Sequence, residues 1–500
     1  MQTTVSSEDL RRKRAERVSP GAFVASQHFY PKVVGAALHP LVAFFLRLTP
    51  AQIASRFCHL RPQVDRAVLE GLLRTRTQHL AWAGADLFYT VNDAGVRRMI
   101  VVETNSCPSG NKSMPLLDPT DPQGGYRRLL ERCVIPHLSD PDLPAGGLAV
   151  IYDKNYTEAS GYAAAMADLT GEDVLLAPMP AQTPGQTLDG PTRFRDGVLE
   201  IRDEADRWTP IRVALRYVTQ RPWTRIPVRT RTRILNPVVA CLAGGRNKLV
   251  AVKAYEALSA ELASAGLGIR TPETLRDVRL ADVPARVAAM GGWAVVKDPY
   301  GNAGAGVWTI TNAADLDGFL RAEHRYDRFI VQGLVGNAHW TSGGAGSRYH
   351  HVGTMPDREG EIFVADLRVM VCSGPDGFAP IAIYARRARE PLPEVLGEGA
   401  ASWPILGTNL SVPMEGGGYA ADTDRLMVMD SQEFNHLGMG PDDLIDAYVQ
   451  TVLSILAIDR MAASVLRPDG ELDRERFAAM DDDPSLTAEL MALGAGSRED

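Results

Sequence analysis

Lys297 is followed within nine residues by three glycines, at 301, 304 and 306. The stretch Trp293–Ile310 (WAVVKDPYGNAGAGVWTI) reads as an apolar strand ending in the lysine, a glycine-rich turn, and a second β-branched and aromatic strand. Glycines let the backbone adopt positive φ and come close to a bulky group. A row of backbone N–H groups beside one ammonium suits a nucleotide triphosphate. The stretch is not a P-loop, whose lysine follows its glycines. It is not a dinucleotide fingerprint either, since Val-Trp-Thr-Ile favours a strand where that motif needs a helix. The plain alternative is an ordinary glycine-rich hairpin.

A second constellation lies upstream. Ala85–Val91 and Arg97–Thr104 read as strands joined by the Asn92–Gly95 turn, and Glu103-Thr-Asn105-Ser-Cys-Pro-Ser-Gly110 closes the pair. Alternate residues of a strand share a face, so Glu103 and Asn105 project together, and the turn brings Asp86 toward them. Two carboxylates and an amide are oxygen ligands suited to Mg²⁺, which keeps waters and phosphate oxygens in its remaining positions. The competing reading is a polar strand end that caps a turn. Cys107 has no base beside it and reads as a bystander, not a nucleophile.

Downstream, Phe329–Val335 is an apolar strand with Gln332 and Gly333 inside it, fit to face an adenine ring or simply to be buried. Phe363–Val371 alternates, with Asp366 and Arg368 on one face, and Pro380–Arg389 ends in Arg386, Arg387 and Arg389. Arginine at a strand end facing phosphate stabilises the charge that develops there. Arg368 and Arg387 are the candidates, against surface arginine. Arg221–Arg233 holds five arginines, a solvated surface or part of an anionic-substrate site.

The scaffold for these residues is large. With 500 residues, 45% hydrophobic and 23% charged, the chain suits two to four domains with a sizeable core. A net charge of −8 argues against a general nucleic-acid binder. The basic run Arg11–Arg17 reads as a solvated helix or arm. No stretch approaches a membrane span, since Leu41–Leu48 is short and contains Arg47, and the N-terminus lacks an apolar signal core. Cysteines 58, 107, 133, 241 and 372 lack CxxC spacing, which fits a reducing cytoplasm and argues against disulfides or zinc. Helices are expected over Pro62–Trp82, Arg246–Ala265 and Pro441–Leu456, the last packing alone. Leu148–Tyr152, Thr157–Leu169 and Asp173–Ala177 form a strand–helix–strand unit, followed by strands at Phe194–Ile201 and Trp208–Val218.

From about Pro62 to Gly418, this ordered set resembles the ATP-grasp superfamily, specifically its circularly permuted branch, which includes glutathionylspermidine-synthetase-like enzymes. The resemblance implies an α/β (α+β) ATP-grasp fold with a small Rossmann-like pre-ATP-grasp domain. It matches Lys248 and Lys297 to the two phosphate-contacting lysines, and Tyr300–Gly306, with Gly301 and Gly304, to the lid. Gln332, Leu334 and Val335 match the adenine hinge, and Arg368 and Arg387 the arginines near the acyl phosphate. Asp86…Glu103-x-Asn105 with Pro108-Ser-Gly110 looks like the family's magnesium motif, placed before the lysines as in permuted members. A second acidic cluster, Asp430…Glu433-Phe-Asn435, stands where an unpermuted chain keeps those ligands, but reads better as a helix start or loop.

The organisation expected is an N-terminal helical segment (1–60), a helix and magnesium hairpin (61–144) and a small α/β domain (145–235). ATP-binding subdomains (236–420) and a C-terminal helical segment with a frayed tail (421–500) complete it. The activity implied is an ADP-forming, ATP- and Mg²⁺-dependent ligase joining small-molecule carboxylate and amine substrates. The alternatives are a small-molecule kinase on the same scaffold and a non-catalytic nucleotide-binding protein.

Overall fold

The computed structural model describes residues 14–180, 190–301, 304, 306–343, 348–397, 399–413 and 419–492. Residues 11–13 of the basic run, most of the Pro178–Pro191 loop, lid positions 302, 303 and 305, and the tail from 493 lie outside them. The strands of the first half are β1 (Glu16–Val18), β2 (Trp82–Asn92), β3 (Arg97–Asn105), β4 (Gly147–Tyr152), β5 (Val174–Pro178), β6 (Thr192–Arg195), β7 (Val198–Arg202), β8 (Trp208–Tyr217) and β9 (Arg233–Leu235). Those of the second half are β10 (Thr274–Arg279), β11 (Ala294–Lys297), β12 (Val307–Ile310), β13 (Arg328–Gly333), β14 (Tyr349–His351), β15 (Ala365–Gly374), β16 (Gly377–Arg387), β17 (Ser411–Pro413), β18 (Tyr419–Ala421) and β19 (Leu426–Met427).

Among the described residues the chain is a mixed α/β protein of four sheets. The first runs β1-β5-β4-β8-β7-β6, with β9 on β8. Its centre is parallel, because the Tyr156–Thr170 helix carries the chain back from β4 to β5. The second sheet, β10-β13-β11-β12, packs on its own apolar cluster around Phe319 and Phe329. The third runs β14-β2-β15-β16-β19 with β3 on β2. The fourth is the β17–β18 pair. In the third sheet the carboxylate hairpin joins strands from the far side of the sequence, so Asp86 and Arg368, 282 residues apart, are cross-strand neighbours.

Two expectations are corrected. The helix expected over Pro62–Trp82 spans only Arg66–Leu73, capped by the Asp65 carboxylate. Tertiary partners pull the remainder out of helix. Asp459 accepts from the backbone N–H groups of Gln78, His79 and Leu80, and the Asn236 side chain accepts from Ala81. The C-terminal helix does not pack alone. Pro441–Ser464 is buried almost throughout from Leu444 to Asp459, against β3 and the Lys248–Leu262 helix. Apolar residues cover every side of Pro441–Ser464, and the buried Asp446, Ser454 and Asp459 are hydrogen-bonded to β3 and to the Gln78–Leu80 backbone. No helix among the described residues is long and apolar enough to cross a membrane.

Candidate functional site

A cavity of about 280 Å³ opens where the second and third sheets meet the C-terminal end of β4. Asp86, Glu103, Asn105, Lys248, Lys297 and Gln332 line it, together with Gly304, Leu334, Val335 and Arg368. Seven Lys and Arg side chains and three Asp and Glu side chains face it among the described residues. The chain as a whole carries −8, so this wall concentrates the opposite charge and selects anions.

The third sheet sets the acidic and arginine side chains by register. Asp86 lies opposite Glu103 on β3 and opposite Arg368 on β15, while Asp366 lies opposite Arg386. Arg368 grips Asp86 with two bonds, Nε to Oδ1 at 2.5 Å and Nη2 to Oδ2 at 2.6 Å. Arg386 reaches Asp86 Oδ2 at 3.0 Å and also pairs with Asp366. Burial alone would raise the Asp86 pKa, but the two guanidinium groups hold it well below the usual carboxylate range. Arg387 does not reach this cluster. Its guanidinium lies 4.4 Å over the Phe363 ring, and Arg386, not Arg387, lines the cavity.

The lysines come from two other elements. Asn247 caps the Lys248–Leu262 helix and puts Lys248 at its first position. The Lys248 ammonium lies 3.6 Å from Glu103 Oε1 and donates to the Gly301 carbonyl. Lys297, at the end of β11, donates to Gln332 Oε1 at 2.6 Å. Burial lowers its pKa to about 8, with Glu103 opposing and Lys248 adding to the shift.

The glycine turn behaves partly as expected. Gly304 has φ +80 and faces Trp403 and Asn409. Gly306 has φ +71, and a Cβ there would lie 2.2 Å from Asp298 Oδ2. Tyr300 points away from the cavity wall; its hydroxyl donates to Asp481 Oδ2 at 2.9 Å, tying the turn to the C-terminal segment. At the hinge, Gln332 is engaged by Lys297 and Thr274, and the Leu334 N–H and C=O are already bonded to Ser342 and Thr341.

A magnesium ion needs oxygen donors that other groups have not claimed. Both Asp86 oxygens are held by arginines, and Asn105 Oδ1 accepts from Arg246 Nη1 at 2.9 Å. Glu103 has Lys248 as its nearest cation, at the looser 3.6 Å. Of the three expected ligands, Glu103 fits a metal shared with nucleotide phosphates; the set of three is not open as a set. The alternative cluster is a helix cap. Asp430 accepts from the Glu433 N–H, while Glu433 pairs with Lys32 and accepts from the Val428 N–H. Cys107 is buried, and burial pushes its thiol up to about 11.

Sequence reasoning missed Arg246, Arg386, Tyr384, Lys112, Lys154 and His351 on this wall. Two signals were available. Arg246 stands two residues before Lys248, and Lys154 follows a parallel strand at its C-terminal end, where α/β sheets bind ligands. His351 is 5% exposed, and burial pushes its pKa down to about 3, so the ring is neutral.

No family model and no curated protein matches the chain. Among solved structures it is similar to a RimK domain ATP-grasp protein from Sphaerobacter thermophilus, with 14% identity, 47% of this chain and 89% of that one covered, and a TM-score of 0.27. It is also similar to a glutathione synthetase-like effector from Globodera pallida, with 9% identity, coverage of 70% and 86%, and a TM-score of 0.35. A third is D-alanyl-alanine synthetase A from Vibrio cholerae, with 10% identity, coverage of 61% and 98%, and a TM-score of 0.29. These likenesses are remote, and the roles of the cleft residues rest on the chemistry of the cleft itself.

Proposed function

We propose that the protein is an ATP-grasp enzyme of the permuted kind that joins a carboxylate to an amine, forming ADP and phosphate. The observation that carries this reading is the convergence of Lys248, Lys297, Glu103 and Arg368 on one cationic cleft from four separate elements of the chain. Lys248 and Lys297 bind the ATP phosphates as ammonium donors. Gln332 orients Lys297 through the 2.6 Å bond. Glu103 would hold a Mg²⁺ ion, which would supply neutralising charge to the triphosphate. Arg368, with Arg386 behind it, stabilises the negative charge of the transferring group; Asp86 holds Arg368 in place by its two-bond grip.

In the reaction, the acid's carboxylate oxygen bonds to the γ-phosphorus as the bond to the bridging oxygen breaks, and ADP leaves. The amine then attacks the acyl carbon of the resulting acyl phosphate, loses a proton, and phosphate departs. Positioning and charge stabilisation suffice, and no side-chain nucleophile is required. The test is phosphate release from ATP with acid and amine supplied separately and together, with product mass measured. Release that needs both supports the ligase. A stable phosphorylated alcohol makes the protein a kinase, and binding without turnover makes it a nucleotide-binding protein.

A further inference from the structure

We propose that Lys154 and Lys112, which line the cleft but not the adjoining cavity that Lys248 and Lys297 also line, form a subsite for a second anionic group on the acid substrate. The acid is therefore a dicarboxylate, an acidic amino acid or another carboxylic acid with an additional negative charge. This inference rests on the ligase reading and names its substrate class.

Lys154 stands just past β4, partly buried on the cavity wall. The residue after it, Asn155, takes φ 54 and ψ 57, and its amide bonds the Tyr217 hydroxyl at 3.1 Å, which fixes the turn carrying the lysine. The Lys154 ammonium makes no hydrogen bond and no ion pair among the described residues. Neighbouring Asp153 does not serve it, because that carboxylate binds Arg225 at 2.9 Å and the N–H groups of Thr219 and Gln220 at 2.7 Å. Burial and the Arg246 charge lower the Lys154 pKa to about 8, as expected for a cation that lacks a counter-ion.

Lys112 is 5% exposed and lines the same cavity. Its ammonium lies 4.8 Å over the Tyr30 ring and forms no ion pair among the described residues. Glu158, the nearby carboxylate, is taken up by the loop, accepting from the N–H groups of Gly110 and Asn111 at 3.0 Å and from Ser109 at 3.1 Å. Burial works against the Lys112 charge, but Tyr30 and Glu158 outweigh it and keep the group cationic. The half-buried Lys154 ammonium, without a carboxylate bonded to it, costs folding free energy that a bound anion recovers.

The triphosphate is not that anion. An adjoining cavity of about 410 Å³ shares Glu103, Lys248, Lys297 and Gln332 with the cleft, but neither Lys112 nor Lys154. Lys154 instead lies within electrostatic reach of Glu103 and Arg368. With the reacting carboxylate at Glu103 and Arg368, Lys112 and Lys154 are left for a further anion on the same acid.

The experiment is a panel of acids with hydroxylamine as the amine, read by phosphate release. The panel holds dicarboxylates from malonate to adipate, aspartate and glutamate, and the amide of each. The wild-type enzyme is expected to use acids with a second anion and to lose activity when that group is an amide. Lys154→Met should raise KM for the preferred acid roughly ten- to a hundredfold, the worth of a charged hydrogen bond. The ATP KM should stay within about twofold, and Lys154→Arg should restore most of the acid affinity. A preferred acid without a second anion, or an unchanged KM in a folded Lys154→Met protein, overturns the subsite while leaving the ligase standing. Phosphate release with no acid at all defeats the ligase reading and the subsite together.

Discussion

Replacing Lys297 with methionine should make the free protein more stable at neutral pH while weakening nucleotide binding. The side chain is 7% exposed, and its one hydrogen bond goes to Gln332. Burial moves its pKa from 10.5 to about 8. At 1.36 kcal/mol per unit, holding the ammonium inside costs about 3 kcal/mol below pH 8. Methionine removes that cost and leaves Gln332 Oε1 without its donor, a loss of about 1–2 kcal/mol. The net expectation at pH 7 is a gain of about 1–2 kcal/mol. Between pH 8 and 10.5 the unfolded chain binds more protons at this position than the folded one, so the wild-type protein gains stability there as pH rises. The variant has no such term. Its advantage should shrink across that window and reverse near its upper end, where only the Gln332 loss remains. Urea unfolding of both proteins at several pH values reads this directly, since other titrations cancel in the difference. ATP affinity at pH 7 should fall roughly ten- to a hundredfold. A variant less stable than wild type at pH 7, or a difference that ignores pH, refutes the assignment of a strained ammonium at this position.

Other substitutions separate the remaining roles. Glu103→Gln should abolish magnesium-dependent turnover in a magnesium titration, whereas Glu433→Gln should keep it, because Glu433 is off the cleft wall and pairs with Lys32 and the Val428 N–H. Arg368→Met should lower kcat far more than ATP affinity and cost about 3–5 kcal/mol in unfolding experiments, since it breaks a buried pair. Arg387→Ala should leave kcat within about twofold and lose about 0.5–1 kcal/mol from its contact with Phe363; a dead Arg387→Ala enzyme would reverse the choice between the two arginines. Gly306→Ala should raise the ATP KM, because its φ of +71 and the 2.2 Å approach to Asp298 distort the hairpin that carries Lys297.

The parts of the site that were legible in the sequence are local ones. Glu103 and Asn105 share a strand face by period two, a four-residue turn brings Asp86 opposite, and an apolar strand ends at Lys297. The choice between Arg386 and Arg387 was not legible. Adjacent residues of a strand face opposite ways, and polarity fixes the phase only where one face is wet. In β16 both faces are buried: Tyr384 leads to Arg386 and Ile383 leads toward Arg387, and each is nearly inaccessible. The role of Asp86 was hidden for a different reason. A carboxylate beside Glu103 and Asn105 reads as a metal ligand until the arginine facing it, 282 residues away, is known.

Chain order matters less to this site than what lies behind it. Thr104 separates Glu103 from Asn105 and must face the other way. Its hydroxyl donates to Ser454 Oγ at 3.0 Å and accepts from the Tyr255 hydroxyl at 2.8 Å. Five residues earlier, the Met99 N–H donates to Asp446 at 2.9 Å. Ser454 and Asp446 both belong to the buried Pro441–Ser464 helix, and Tyr255 to the helix that begins at Lys248. The back of β3 is therefore pinned to the C-terminal helix and to the lysine helix together. With Thr104 fixed inward, strand geometry turns Glu103 and Asn105 out toward Lys248, whichever segment comes first in the sequence. The C-terminal helix contributes no side chain to the cleft wall, yet it fixes the phase of the strand on which the proposed metal chemistry depends.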